Sequence, residues 1–148
     1  MPTLLKLLDA PAESGVYHLR SRAATTTICQ HSSDHGLDCF VFDGSTILGK
    51  ASFLAACATT LRFPEYFGAN WDALEESLTD LSWLEGRGVV LVFRQIAPFI
   101  RHNPGDWAIA CAILQDAATY WRTQSAPFIV LLRGTAGLAP ALPIVRRL

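Results

Sequence analysis

The side chains best suited to chemistry crowd one short stretch. FPEYFGANWDALEESLTDLSWL, residues 63–84, carries five carboxylates and no lysine or arginine. With Glu85 it holds six acids in 23 positions, and the nearest cations in sequence, Arg62 and Arg87, flank it. Asp72, Glu76 and Asp80 are spaced i, i+4, i+8, which puts them on one helical face with Glu75 beside them. Like charges at i, i+4 cost a helix about 0.2–0.5 kcal/mol per pair. Asp72 recovers part of that cost near the positive end of the helix dipole. A stretch selected only for stability would place a lysine in the row.

Paired acids suggest glycoside hydrolysis. That chemistry needs a cleft that pushes two pKa values apart, whereas these acids belong on a convex, solvated face. A solvated helix face is the plain alternative to any function. Three details weigh against it: the charge is locally uncompensated, Tyr66, Phe67, Trp71 and Trp83 are interleaved with it, and the PEYFG loop has a proline and a glycine to hold the rings beside it. Aromatic anchors around compact charge are typical of binding hot spots. Regularly spaced carboxylates beside rings imitate phosphates beside bases, and arginine pairs carboxylate and phosphate in similar forked geometry. Such a helix suits the cationic active site of a ribonuclease, reached by charge steering.

A second cluster, Cys29-x-His31-x3-His35-x3-Cys39, contains four residues able to ligate zinc. The spacing is not that of a standard finger, and Cys39 opens an apolar strand where its thiol packs as a small hydrophobe. An exposed polar connector is the preferred reading of this segment. Neither Cys57 nor Cys111 pairs with a histidine in sequence, and both fall on apolar helix stripes. Glycine-rich phosphate loops are absent. Arg94 reads as a strand-end cap or the partner of an acid, with no site role.

These groups must be positioned by an alternation of strands and helices. GVYHLR (15–20), LDCFVF (37–42), VVLVF (89–93) and PFIVLL (127–132) read as strands, the last two as apolar runs covered on both faces. ATTTICQHSSDHG (24–36) is ambiguous, since its spacing allows a helix that the threonine run weakens. Lys50 to Leu61 reads as a helix with Phe53, Leu54, Cys57 and Leu61 on one side. Asn70 caps the next helix, whose core stripe is Trp71, Leu74, Leu78 and Leu81. Asp106 caps a long helix through Arg122 that turns Trp107, Ala110, Cys111, Leu114, Ala117, Ala118 and Trp121 inward. Trp83 stands evenly between packing and interface. The tail, with Gly134, Gly137, Pro140 and Pro143, reads as irregular. Strands separated by helices imply right-handed crossovers and a parallel sheet.

The 148 residues suit one domain. Net charge is −1, with 12 basic and 13 acidic residues, so nothing global marks a nucleic-acid binder. No apolar run spans a bilayer, and the N-terminal MPTLLKLLDAPAESG lacks a basic leader and a long apolar core. Cytoplasmic residence is the expectation. The four cysteines show no close pairing, and at least two read as buried thiols.

FPEYFGANWDALEESL, the VVLVFRQ strand and the final PFIVLL strand together resemble the barstar family, bacterial intracellular inhibitors of barnase-type ribonucleases. The similarity covers roughly residues 38–133, and the pattern P-x-Y-[YF]-G-x-N-x-D-A-L is fairly specific. The resemblance implies an α/β fold, a three-stranded parallel sheet packed with helices, with an added N-terminal edge strand as an option. It divides the chain into an N-terminal extension, 1–36, packed on the same domain, and a barstar-like domain, 37–148. It implies that the helix from Asn70 and the loop before it plug a nuclease site. Tyr66, Phe67 and Gly68 match the family's loop, Asn70 and Asp72 keep their identities, and Glu76 takes the place of the deepest-reaching acid, one methylene longer. Glu75 stands where barstar itself has a tryptophan, and Tyr120 falls near a further acidic contact of the family.

The partner-binding set is therefore Tyr66, Phe67, Gly68, Asn70, Asp72, Glu75, Glu76 and Asp80. The expected partner is a basic extracellular-type ribonuclease or related nuclease toxin, with no cofactor, no metal, no catalysis, no direct nucleic-acid binding and no membrane. An immunity protein against a different basic toxin is the second reading, and a metal-dependent enzyme built on Cys29, His31, His35 and Cys39 is the third.

Overall fold

A computed structural model describes residues 3–138 and 141–148. Met1, Pro2 and one of the expected tail breakers, Pro140, lie outside the described residues. The strands are β1 (Gly15–Leu19), β2 (Asp38–Asp43), β3 (Val89–Arg94), β4 (Phe128–Leu132) and β5 (Ile144–Val145). The helices are α1 (Leu4–Leu8), α2 (Thr25–Asp34), α3 (Lys50–Thr60), α4 (Trp71–Leu78), α5 (Ala97–His102) and α6 (Pro104–Thr123).

The sheet has five strands in the order β2-β3-β4-β1-β5, not three. Every pairing is parallel. The N-terminal strand is not an added edge. β1 lies between β4 and β5, pairing Gly15 with Ile129 and Leu19 with Val145. The tail is not wholly irregular either, because Ile144–Val145 supplies the outer strand.

Alternation along the central strands sorts the core into two layers. Val89, Leu91 and Phe93 point into one cluster, joined by Phe53 and Leu54 of α3, Leu74 and Leu78 of α4, and Leu114 of α6. Val90 and Val92 point into the other, with Leu4, Leu7 and Leu8 of α1 and Ile28 of α2. This explains why β3 reads as an unbroken apolar run: both of its faces are covered. Phe42 stacks on Phe93 with ring centres 4.2 Å apart, and Phe53 stacks on Phe99 at 5.7 Å, the latter within the range favoured for ring pairs.

The ambiguous segment 24–36 resolves as helix α2, with Ile28 and Ser32 buried. The polar-connector reading fails there. Cys29 and Cys39 come together as a disulfide pair with Cα atoms 5.3 Å apart, tying α2 to β2. Cys39 is thus not the lone packed thiol expected of it. Cys57 is a buried thiol and Cys111 a half-buried one, so Cys111 is less inward than its stripe suggested, and Ile113 is buried instead.

Asp106 does not cap its own helix. α6 begins at Pro104, and the Asp106 carboxylate accepts from the Lys50 backbone N–H at 3.2 Å, capping α3 across the fold. The Asp43–Gly44 turn forms as expected, with Asp43 accepting from Ser45 N–H at 3.0 Å. A Cβ on Gly44 would collide with the Arg94 carbonyl, so this turn lies directly on β3.

Candidate functional site

Asn70 starts α4 as expected: its backbone is extended and its Oδ1 accepts from Ala73 N–H at 2.7 Å. Leu74 and Leu78 are fully buried and Trp71 partly so, packing near Phe53 with ring centres 6.1 Å apart. The apolar stripe therefore forces Asp72, Glu75 and Glu76 outward, and all three are exposed.

The helix is shorter than its pattern. α4 ends at Leu78, Thr79 is the C-cap, and Leu81 takes φ 50°. Asp80 therefore does not extend the row on the helix; it follows the cap. Leu81 is nonetheless buried, because the left-handed turn folds it back to the core. Two tryptophans finish helices here. The Trp121 indole donates to the Leu78 carbonyl at 2.7 Å, and the Trp83 indole donates to the Leu61 carbonyl at 2.8 Å. Each satisfies an orphan carbonyl of a last turn. Trp83, half-buried with its edge on Phe63 at 5.8 Å, is thereby a packing residue.

The two aromatics of the loop separate. Phe67 turns onto Phe63 at 4.9 Å and joins the core margin, while Tyr66 stands 80% exposed. Tyr66, Phe67, Gly68, Asn70, Asp72, Glu76 and Asp80 line one open groove of about 500 Å³, together with Ala73 and Ser77. Glu75 is not among its lining residues. Seven of the eight residues expected from the sequence are thus brought together.

No cation among the described residues neutralises this surface. The ion pairs found there are His35 and Arg87 with Asp9 only. Arg62 lies over the Phe40 ring at 6.0 Å. Arg87 donates to the His35 carbonyl at 2.6 Å and the Leu8 carbonyl at 3.0 Å. The one cation the sequence pattern missed is Lys50, whose Nζ sits 5.6 Å from the centre of the Trp71 ring. It belongs to the preceding helix, and linear spacing gave no sign of it. Tyr120 is 40% exposed and packs its ring against Trp121 at 5.1 Å.

The other constellations do not assemble. His35 Nδ1 lies 2.7 Å from Asp9 Oδ1, while Cys29 and Cys39 pair with each other. No group of three or more His, Cys, Asp and Glu residues able to hold a metal occurs among the described residues. His18 and Cys111 do line one groove, a proximity invisible in the sequence. His18 Nδ1, however, is 2.6 Å from Thr135 Oγ1, and burial pushes the Cys111 thiol up to about 11. A thiol so protonated at neutral pH is a poor nucleophile. Burial raises the Cys57 thiol further still. No helix among the described residues is long and apolar enough to cross a membrane.

Among curated proteins none matches the chain. The family model described as "Barstar (barnase inhibitor)" matches residues 37–133, about two-thirds of the chain. That span runs from the start of β2 to the end of β4 and contains the whole acidic groove. The matched family is thus described as one of barnase inhibitors. With the loop, the Asn70 cap and the outward acids all inside the matched span, the chain belongs to the barstar family.

Proposed function

We propose that this chain is a stoichiometric inhibitor of a barnase-type microbial ribonuclease, acting in the cytoplasm without turnover or cofactor. The observation that carries the reading is the groove itself: three carboxylates, Asp72, Glu76 and Asp80, unpaired and exposed beside Tyr66. An enzyme that grips RNA phosphates presents arginine, lysine and histidine in a concave site. A helix with anions fixed outward along its exposed side fits that site and competes with substrate. Tyr66 supplies the aromatic anchor, Gly68 and Asn70 set the entry of the helix, and Glu75 adds charge at the rim. Residues 1–36 act as an extension belonging to the same domain as 37–148.

The test is a titration of purified protein into a barnase-type ribonuclease, read by RNA cleavage. One-to-one inhibition is expected, with a large loss for Asp72→Ala and Glu76→Ala. Both side chains are exposed, so the variants should unfold at the parent temperature. Undiminished inhibition by the double variant would remove α4 from the interface. Glu75 favours a second reading. It puts charge where barstar has a tryptophan, which suits an immunity protein against a more basic toxin. Failure against barnase-type enzymes, with tight salt-sensitive inhibition of another cationic nuclease, would select it.

A further inference from the structure

A second cluster of like charge lies outside the carboxyl ends of the strands. The loop after β1, the first turn of α2, the end of β3 with Gln95 after it, and the residues following β4 enclose an open groove of about 570 Å³. Arg22, Arg94 and Arg133 line it, and no aspartate or glutamate does. It shares no residue with the acidic groove.

Arg133 is the fixed member. Its Nη1 donates to Thr25 Oγ1 at 2.9 Å, and its Nη2 donates to the Ser21 and Ala23 carbonyls at 2.9 and 2.6 Å. All these partners are neutral, so its charge is held without being neutralised. Burial, and then the Arg94 guanidinium, lower its pKa from the ordinary arginine value. Arg94 and Arg22 are exposed and take part in no ion pair among the described residues. The carboxylate opposite Arg94 in register is Asp43, but it accepts from Ser45 N–H at 3.0 Å and Ser45 Oγ at 2.6 Å. Those Ser45 hydrogen bonds do most to lower the Asp43 pKa, and Arg94 exerts only the smallest of the effects that lower it. Arg94 and Arg133 act on each other as like charges, and a bound anion would relieve the repulsion between the two arginines.

Topology points to the same place. The chain leaving β1 crosses towards β2 at one side of the sheet, whereas the chain leaving β4 crosses towards β5 at the other. Open parallel sheets bind ligands outside the carboxyl ends of the strands where strand order reverses in this way. The cap of α2 is Ala24, which offers no side-chain acceptor to the first turn, so its N–H groups add to the positive field.

We propose that this groove binds the phosphate group of a small phosphorylated ligand, held by the guanidinium groups of Arg22, Arg94 and Arg133. A dianion with three acceptor oxygens can engage several guanidinium groups and balances more of their charge than a single carboxylate does. The groove is larger than inorganic phosphate requires and falls within the range of small-molecule sites. A net charge of −1 on the whole chain and only three arginines lining the groove argue against a nucleic-acid polyanion.

The full chain is titrated by calorimetry with inorganic phosphate, pyrophosphate and a nucleoside diphosphate at constant ionic strength. Saturable one-site binding is expected, tighter for pyrophosphate than for phosphate. Further tightening by the nucleoside diphosphate assigns a nucleotide, and equal affinity assigns the phosphates alone. Arg22→Gln with Arg94→Gln should weaken binding about tenfold or more. Both side chains are exposed, so this variant keeps its fold even if Arg133→Lys does not. Amide shifts at Thr25 and Thr26 should move with saturation. No saturable binding, equal binding by the double variant, or an oligonucleotide binding far more tightly than the diphosphate would overturn the proposal. Ribonuclease inhibition should be unchanged in the double variant, so the two sites succeed or fail independently.

Discussion

The acidic groove and the arginine groove are opposite in sign and also in origin. Asp72, Glu76 and Asp80 lie within nine residues and reach one surface through a helix and its cap. Arg22, Arg94 and Arg133 come from three segments spread over the chain and meet only because β1, β3 and β4 end at one side of a parallel sheet. The first cluster is an open, exposed groove on a helix backed by an apolar stripe, which suits a macromolecular partner. The second is lined by loop backbone and a helix start, which suits a small ligand. A local charge pattern thus assembles the acidic surface, and topology gathers the arginines.

The comparison is most sharply broken by charge removal on the acidic side. Asp72→Asn with Glu76→Gln should cut inhibition of a barnase-type nuclease by about a hundredfold or more. A loss of that size is in keeping with the family's own barnase complex, where truncating a single barstar acid costs several kcal/mol. Phosphate binding in the same variant should not change. Next in size is salt. Raising ionic strength from about 0.05 to 0.5 M should slow association with the nuclease about tenfold or more in stopped-flow experiments, with dissociation little affected.

Smaller effects test the scaffold beneath each site. Trp121→Phe removes the indole donor to the Leu78 carbonyl and should cost about 1 kcal/mol in denaturant unfolding, with the end of α4 fraying first. His18 lies at the end of β1, and burial first, then Arg20, holds its pKa below the ordinary value of 6.5. The unfolded chain binds that proton more readily. Its contribution to stability is therefore complete above about pH 6.5 and lost as pH falls through the depressed value. Melting temperature should decline over that window, and His18→Gln should flatten the decline.

Much of this architecture is legible in the chain. Asn70 followed by Leu74 and Leu78 announces a capped helix and its buried side, and the side left over must carry the acids. VVLVF announces a strand between two layers, because only such a strand tolerates apolar residues at every position. What is hidden depends on partners distant in sequence. Asp80 leaves the helix because Leu81 turns back to the core. Asp106 caps a helix more than fifty residues away, and Trp83 reaches back to Leu61. The Cys29–Cys39 pair requires α2 to lie against β2, which spacing alone does not say. The two-residue β5 is too short for any periodicity and exists because β1 offers it a free side.

The position of β1 has a consequence for how the molecule is made. β1 is synthesised well before its two neighbours, β4 and β5, so the ribosome releases a segment that must wait for its partners. Until β4 and β5 emerge, Val16 and Leu19 have no sheet to enter. Closing the sheet is therefore a late event joining segments more than a hundred residues apart, since Gly15 pairs with Ile129, and pairing across so long a separation is slow. The nascent protein should be most prone to aggregation just before β4 and β5 leave the exit tunnel, well after the acidic helix has emerged.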